Sequence, residues 1–387
     1  MNFIEKDKIY LAQTYARQPI AIIRGKGATV WDIDGKEYLD FVSGISVLNV
    51  GHCHRKVIKA IKEQCQKIMH TSNLYYIIPQ IELAELLYNL SGGYKSFFCN
   101  SGAEANEAAI KLARKYTKKK EIICAKGSFH GRTLATLSAT GQDRYKKNFE
   151  PLLKEFKHVE YGKAEEIEKA ITRDTAAVML EPILGEGGVV IPPKNYLREV
   201  KEICEENGIL MILDEVQTGL GRVGEIFAWK LFKVEPDIFT LAKSLGGGFP
   251  IGAMLAKENV MDAFKPGDHA STFGGNHLAC ASAKAVIETI IEENLCKKAK
   301  ELGEYMMDKL KNLQKYSIVK EIRGVGLMIG IELNIPCKKF VDKARERGLL
   351  INCTQERVIR LLPPLIVSKK QIREAIRILE EIFKNEN

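Results

Sequence analysis

Ile209-Leu210-Met211-Ile212-Leu213-Asp214-Glu215-Val216-Gln217-Thr218-Gly219 is the stretch on which the fold turns. Its first five residues are all apolar, as in a strand buried on both faces of a parallel sheet, where the alternation of a half-exposed strand is lost. A carboxylate follows at once at the strand's carboxyl end, the edge at which open α/β sheets bind their ligands. Outward from this point, the chain from about 90 to 260 alternates similar runs with helical stretches. The other candidate strands are Lys95–Cys99, 122–125, 176–181, Ile238–Leu241 and Gly252–Ala256. From Ala103, apolar positions 105, 108, 109, 112, 113 and 116 fall on one helical face, and a second helix over 196–207 stops at Gly208. Strand–helix–strand alternation gives an α/β domain with right-handed crossovers.

Beyond Gly275 the texture changes. Helices are expected over 276–293 and 295–315, a strand entered through a turn over 323–332, and a helix over 338–347. Short strands at 350–353 and 358–362 and a terminal helix from Lys369 complete a smaller α+β domain. The first 60 residues read as an extended arm, with a hairpin over 31–40 closed by Asp34-Gly35. The expected organisation is an arm over 1–60 that contributes to the small domain, a large domain over 61–275 and a small domain over 276–387. No internal repeat is visible.

The 387 residues exceed the ~250–300 at which a single core stops growing. With 45% apolar and 28% charged residues, the chain is neither disordered nor collagen-like. No apolar run approaches the ~20 residues that span a bilayer. The first twenty residues carry Glu5, Lys6, Asp7, Lys8 and Arg17 where a signal peptide would need an unbroken apolar core. A cytoplasmic protein with no membrane partner is expected. The net charge of +9 is mild, and no basic stripe interleaved with aromatics marks a nucleic-acid surface; the surplus suits acidic small substrates. The cysteines are odd in number and none has Cys-x-x-Cys spacing. They read as reduced, buried small hydrophobes and not as a disulfide frame. His52-Cys53-His54 lacks a second ligand cluster, so the histidines read as structural and no metal is expected.

Three strand ends carry chemistry. Asn100-Ser101-Gly102-Ala103-Glu104-Ala105-Asn106-Glu107 runs from a strand straight into a helix, whose first N–H groups and positive dipole end make a phosphate site. The same residues would also serve as an ordinary N-cap. Asp214 at the mouth of a buried strand needs a cationic partner. Lys243, in Thr240-Leu241-Ala242-Lys243-Ser244-Leu245-Gly246, lies just past the next strand. A lysine in such surroundings suits Schiff-base chemistry, or one half of an ion pair. A rival reading is the dinucleotide pattern Gly219-Leu220-Gly221-Arg222-Val223-Gly224, followed by Asp237. Its glycines begin beyond the strand-to-helix turn that this mechanism requires, which counts against a hydride-transferring enzyme.

A phosphate cradle, an anion for a pyridine nitrogen and an amine for a covalent Schiff base together make the requirement of pyridoxal 5'-phosphate. Here the chain resembles the class III, fold type I (ornithine-like) aminotransferases over nearly its whole length. The resemblance rests on Asn100–Glu107, Ser128-Phe129-His130-Gly131-Arg132-Thr133, Glu181-Pro182-Ile183, Gly185-Glu186-Gly187-Gly188, Asp214–Gly219, Lys243 with its glycines, and Ser271-Thr272-Phe273-Gly274-Gly275-Asn276. It implies a large domain with a mainly parallel seven-stranded sheet, a smaller α+β C-terminal domain and a homodimer with shared active sites.

The resemblance also implies roles. Lys243 forms the Schiff base with the cofactor and shuttles the proton, and Asp214 pairs with the ring nitrogen. Phe129 and Val216 cover the two ring faces, and Gln217 meets the phenolic oxygen. Ser101, Gly102 and Ala103 cradle the phosphate, with Thr272 reaching it from the neighbouring subunit; many relatives carry Thr where Ala103 stands. Arg132 and Ser271 are implied at the substrate, Arg132 on one carboxylate. Arg360, which alone would read as a domain-interface ion pair, takes the α-carboxylate of 2-oxoglutarate or glutamate, and Glu186 pairs with it in the other half-reaction. Ile45 stands where ornithine-specific members carry a tyrosine, which favours a donor whose α-amine is acylated. The expected reaction moves the side-chain amine of N-acetylornithine to 2-oxoglutarate, a step of arginine biosynthesis. Succinylornithine, succinyl-diaminopimelate, ornithine and 4-aminobutyrate remain as competing donors.

Overall fold

The computed structural model describes residues 2–384 and 386. Its centre is a seven-stranded sheet in the order Lys95–Cys99, Gly252–Ala256, Ile238–Leu241, Leu210–Asp214, Thr175–Leu180, Glu121–Ala125, Phe156–Val159. All neighbours pair parallel except Gly252–Ala256, which runs antiparallel to both of its own. Thr175–Leu180 and Leu210–Asp214 are buried along their whole length, which is why they lack polar alternation. Phe156–Val159 is the strand that the apolar pattern does not reveal. It is an edge strand, and Lys157 and His158 interrupt it. Lys157 Nζ pairs with Glu121 at 2.8 Å, and a His158 ring nitrogen lies 3.0 Å from the Ala139 carbonyl.

The parallel strands deliver their carboxyl ends to one edge of the sheet, and the helix Gly102–Thr117 starts there. The arm forms its hairpin as expected: Thr29–Asp32 pairs with Glu37–Asp40, and Gly35 takes φ +81 in the turn. Leu349–Leu350 joins this arm sheet parallel to Glu37–Asp40. The helix Arg55–Cys65 runs through residue 60, so a boundary there would cut a helix. Asn276 caps the helix His277–Glu292 through its side chain. His52 bonds Asp40 at 2.7 Å within the arm, and His54 bonds Glu293 at 3.2 Å, tying the arm to the end of the helix His277–Glu292.

Two expectations are corrected. The stretch 323–332 is not one strand but most of a hairpin, Val319–Val325 against Met328–Leu333, because Gly326 at φ +55 lets the chain reverse. Cys337 and Cys353 are joined by a disulfide. They stand 16 residues apart in sequence, yet a helix start and a strand bring their Cα atoms to 5.8 Å, a proximity that short-range spacing does not register. The other cysteines are free, and Cys53 and Cys65 among them are exposed, not buried as expected.

The glycine loop of the rival reading has a structural task. Arg222 is fully buried, and its guanidinium donates to Ser46 Oγ at 2.9 Å, Asn49 Oδ1 at 2.5 Å, and the Leu327 and Pro363 carbonyls at 2.9 and 2.6 Å. One side chain thereby ties the arm and the C-terminal region to the loop after Asp214. Arg222→Ala would leave four buried acceptors bare and should destabilise the fold by about 3–5 kcal/mol. The urea midpoint measures this. A shift worth under about 1 kcal/mol would mean that water replaces the guanidinium.

Candidate active site

A cavity of about 420 Å³ opens at the carboxyl ends of the strands, lined among others by Ser101, Gly102, Phe129, Asp214, Val216 and Lys243. Ser101 is the extended N-cap of the helix Gly102–Thr117, its Oγ accepting the Glu104 N–H at 3.2 Å. A Cβ on Gly102 would come within 2.8 Å of the Val216 side chain, so only glycine leaves this helix start open. Ala103 is the next residue of the same turn and also lines the cavity.

Asp214 is 3% exposed, and its oxygens are both engaged. Oδ1 accepts the Val216 N–H at 3.0 Å; Oδ2 accepts from Asn106 Nδ2 at 2.7 Å and lies 2.8 Å from His130 Nδ1. Asn106 is itself fixed by donating to the His130 carbonyl and accepting from Thr240 Oγ1, both within 2.8 Å. The carboxylate is thus held rigidly in a buried, polar clasp that faces the cavity.

Lys243 follows the strand Ile238–Leu241 and begins a short turn at φ +47. Burial pushes its amine below the ordinary lysine range, against the pull of Glu186, while Arg360 acts in the same direction as burial. Arg360 is wholly buried on Val358–Leu361. Its Nη1 donates to Glu186 Oε1 at 2.6 Å and to Gln217 Oε1 at 3.1 Å, its Nε donates to Asn352 Oδ1 at 3.3 Å, and its Nη2 has no hydrogen-bond partner among the described residues. Burial alone would raise the Glu186 carboxyl; the Arg360 and Lys243 charges outweigh it and leave Glu186 below the usual carboxylate range.

A glycine-bounded helix start, a clasped carboxylate and a lysine with a weakened hold on its proton fit pyridoxal 5'-phosphate as phosphate, ring nitrogen and aldehyde partners. The profile of Aminotransferase class-III matches residues 10–383. The acetylornithine aminotransferase of Methanothermobacter thermautotrophicus is 53% identical over 385 residues, covering 99% of each chain.

The chain belongs to the class III aminotransferases.

It is a pyridoxal-phosphate-dependent transaminase. The acetylornithine aminotransferase of Methanocaldococcus jannaschii is 52% identical, covering 99% of this chain and 98% of its own. Among solved structures, the ornithine aminotransferase from Toxoplasma gondii ME49 superposes with TM-score 0.96 at 36% identity, covering 100% of this chain and 96% of its own. The acetylornithine aminotransferase from Elizabethkingia anophelis does so with TM-score 0.89 at 34% identity, covering 99% and 98%.

Other expected residues of the enzyme are distributed less simply. Arg132 lines the cavity with its guanidinium 4.1 Å from the Tyr145 ring centroid and 5.5 Å from that of Phe129. Tyr145 meets Phe129 edge-on at 5.6 Å. Ile45 is partly exposed at φ +65 in the arm and is not part of the cavity wall of this single chain. Ser271 Oγ accepts from Asn100 Nδ2 at 3.1 Å, and Thr272 is exposed beside Phe273. Neither lines this chain's own cavity.

Three residues that the motifs contain but the reading of roles passes over are Asn106 and His130, which clasp Asp214, and Glu181. Glu181 Oε1 accepts the Phe129 N–H at 2.9 Å and Oε2 the Gly185 N–H at 3.0 Å, and burial raises its carboxyl to about 7. Among the described residues no helix is long and apolar enough to cross a membrane.

Proposed function

We propose that this enzyme moves the side-chain amine of N-acetylornithine to 2-oxoglutarate, giving the semialdehyde and glutamate. The observation that carries the reading is the Glu186–Arg360 pair beside Lys243, with one Arg360 nitrogen left unpartnered. A donor that reacts through a side-chain amine places no carboxylate beside the reacting carbon, and Glu186 then occupies Arg360. 2-Oxoglutarate does place one there, and Arg360, released, takes it through a planar fork matched to carboxylate. Each ~1.4 kcal/mol of differential interaction changes the occupancy of such a switch tenfold. Arg132, over the Tyr145 ring and with no carboxylate partner among the described residues, takes the distant carboxylate of the acylated donor. Ile45 stands where ornithine-specific members carry a tyrosine, and by that resemblance an aliphatic side chain there suits an acylated amine better than a charged one.

Bound in the cavity, pyridoxal 5'-phosphate supplies an electron sink conjugated to the reacting carbon. Lys243 Nζ would hold the cofactor and would move the proton at the reacting carbon. Asp214, clasped by Asn106 and His130, would face the ring nitrogen and favour its protonated form. Phe129 and Val216 would pack against the ring, Gln217 would serve its phenolic oxygen, and the helix start Ser101-Gly102-Ala103 would hold its phosphate. Thr272 and Ser271 complete the site of a second copy of the chain. The exposed Leu74, Tyr75, Tyr76 and Phe273 support that homodimer, since apolar side chains left open in one chain find cover in another.

The reading is tested by single turnover with separate donors. Glu186→Ala should leave N-acetylornithine reacting but let glutamate compete about tenfold better, because Arg360 then stays open throughout. Unchanged donor preference in Glu186→Ala would remove the gate.

A further inference from the structure

Glu186 lies in the loop after Thr175–Leu180, yet its main chain is held from the C-terminal region. The hairpin of Asn352–Thr354 and Val358–Leu361 sets Asn352 opposite Arg360 and Thr354 opposite Val358. Thr354 Oγ1 donates to the Glu186 carbonyl at 2.6 Å, and Gln355 Nε2 donates to the same oxygen at 2.8 Å. Gln355 is fixed in turn: its Nε2 also donates to Gln142 Oε1 at 2.7 Å. Gln142 Nε2 donates to the Gly127 and Ser128 carbonyls at 3.1 and 3.2 Å, next to Phe129. Gln355 and Glu356 turn the hairpin at φ +49 and +60. On the far side of the loop, Arg323 Nη2 donates to the Gly188 carbonyl at 2.7 Å.

One hairpin therefore carries Arg360 and both side-chain donors that fix the backbone of its ion-pair partner. We infer that Thr354 and Gln355 are positioning residues for the gate. They hold the Glu186 main chain still, so that a side-chain rotation alone makes and breaks the pair with Arg360, and they thereby set how well the enzyme rejects donors with a carboxylate beside the amine. Both hydrogen bonds fall on one carbonyl, so removing both donors leaves that oxygen without a side-chain partner and frees the loop to drift. This inference rests on the gating role proposed for Glu186.

The test uses the holoenzyme carrying Thr354→Val with Gln355→Leu, substitutions that keep volume and remove both donors. Amide hydrogen exchange over residues 183–191 should accelerate about tenfold, without comparable change in the strands of the large sheet. The ratio of kcat/KM for N-acetylornithine to that for glutamate should fall about tenfold. In a Glu186→Ala background the same two substitutions should leave the ratio within about twofold. Unchanged exchange, or faster exchange with the ratio intact, overturns the positioning role while the gate stands. An equal loss of the ratio with and without Glu186 also overturns it. If Glu186→Ala alone leaves the ratio at its wild-type value, the gate itself fails and this inference falls with it.

Discussion

Lys243→Ala should lose at least about 10⁴ in kcat with every donor, the upper range for a positioned general acid–base group, since covalent attachment is lost as well. The size of the effect follows from where the amine sits. Lys243 is the one lysine lining the cavity among the described residues, and burial has weakened its hold on its proton, which suits it to give one up and take one back. The fold should survive, because the turn is held by its buried neighbours Ser244 and Leu245 rather than by the lysine side chain. Two readouts decide the matter: turnover, and release of the cofactor from the variant on dialysis. Residual turnover within tenfold of wild type would mean that another group moves the proton.

The second large effect is asymmetric. Arg360→Ala removes the guanidinium that the structure buries completely and leaves Glu186 facing the cavity with Lys243 as its remaining cationic neighbour. Truncating one partner of a buried, hydrogen-bonded charge pair costs about 2–5 kcal/mol. The half-reaction with 2-oxoglutarate should accordingly slow by about 30- to 4,000-fold. The half-reaction with N-acetylornithine should slow by less than about tenfold, since its distant carboxylate is assigned to Arg132. Single-turnover kinetics separates the halves, and equal slowing of both would place Arg360 outside substrate recognition.

The legible parts of this enzyme are those written in local pattern. An apolar run ended by Asp214 shows both the buried strand and its functional mouth, and Lys243 repeats the arrangement one crossover later. Ser101-Gly102 shows a helix start. What the pattern conceals is made by tertiary contact. His130 reaches Asp214 across 84 residues, and Asn106 sits within a helix where nothing local separates it from any surface amide. Phe156–Val159 hides because an edge strand tolerates Lys157 and His158. Arg222 hides inside a glycine pattern that suggests a nucleotide loop, when its buried guanidinium is the tie between three segments. The Cys337–Cys353 bridge depends on a hairpin and a helix start coming together, which no spacing rule anticipates.

The donor itself is tested most directly by comparing kcat/KM for N-acetylornithine, succinylornithine, ornithine, 4-aminobutyrate and succinyl-diaminopimelate, each with 2-oxoglutarate as acceptor. Ile45 at the position where ornithine-specific members carry a tyrosine, Arg132 over Tyr145 and the Glu186-occupied Arg360 predict that N-acetylornithine ranks first, with free ornithine at least about tenfold lower, or about 1.4 kcal/mol for a charged α-amine that finds no tyrosine hydroxyl there. Ornithine or 4-aminobutyrate ranking above N-acetylornithine would contradict that prediction.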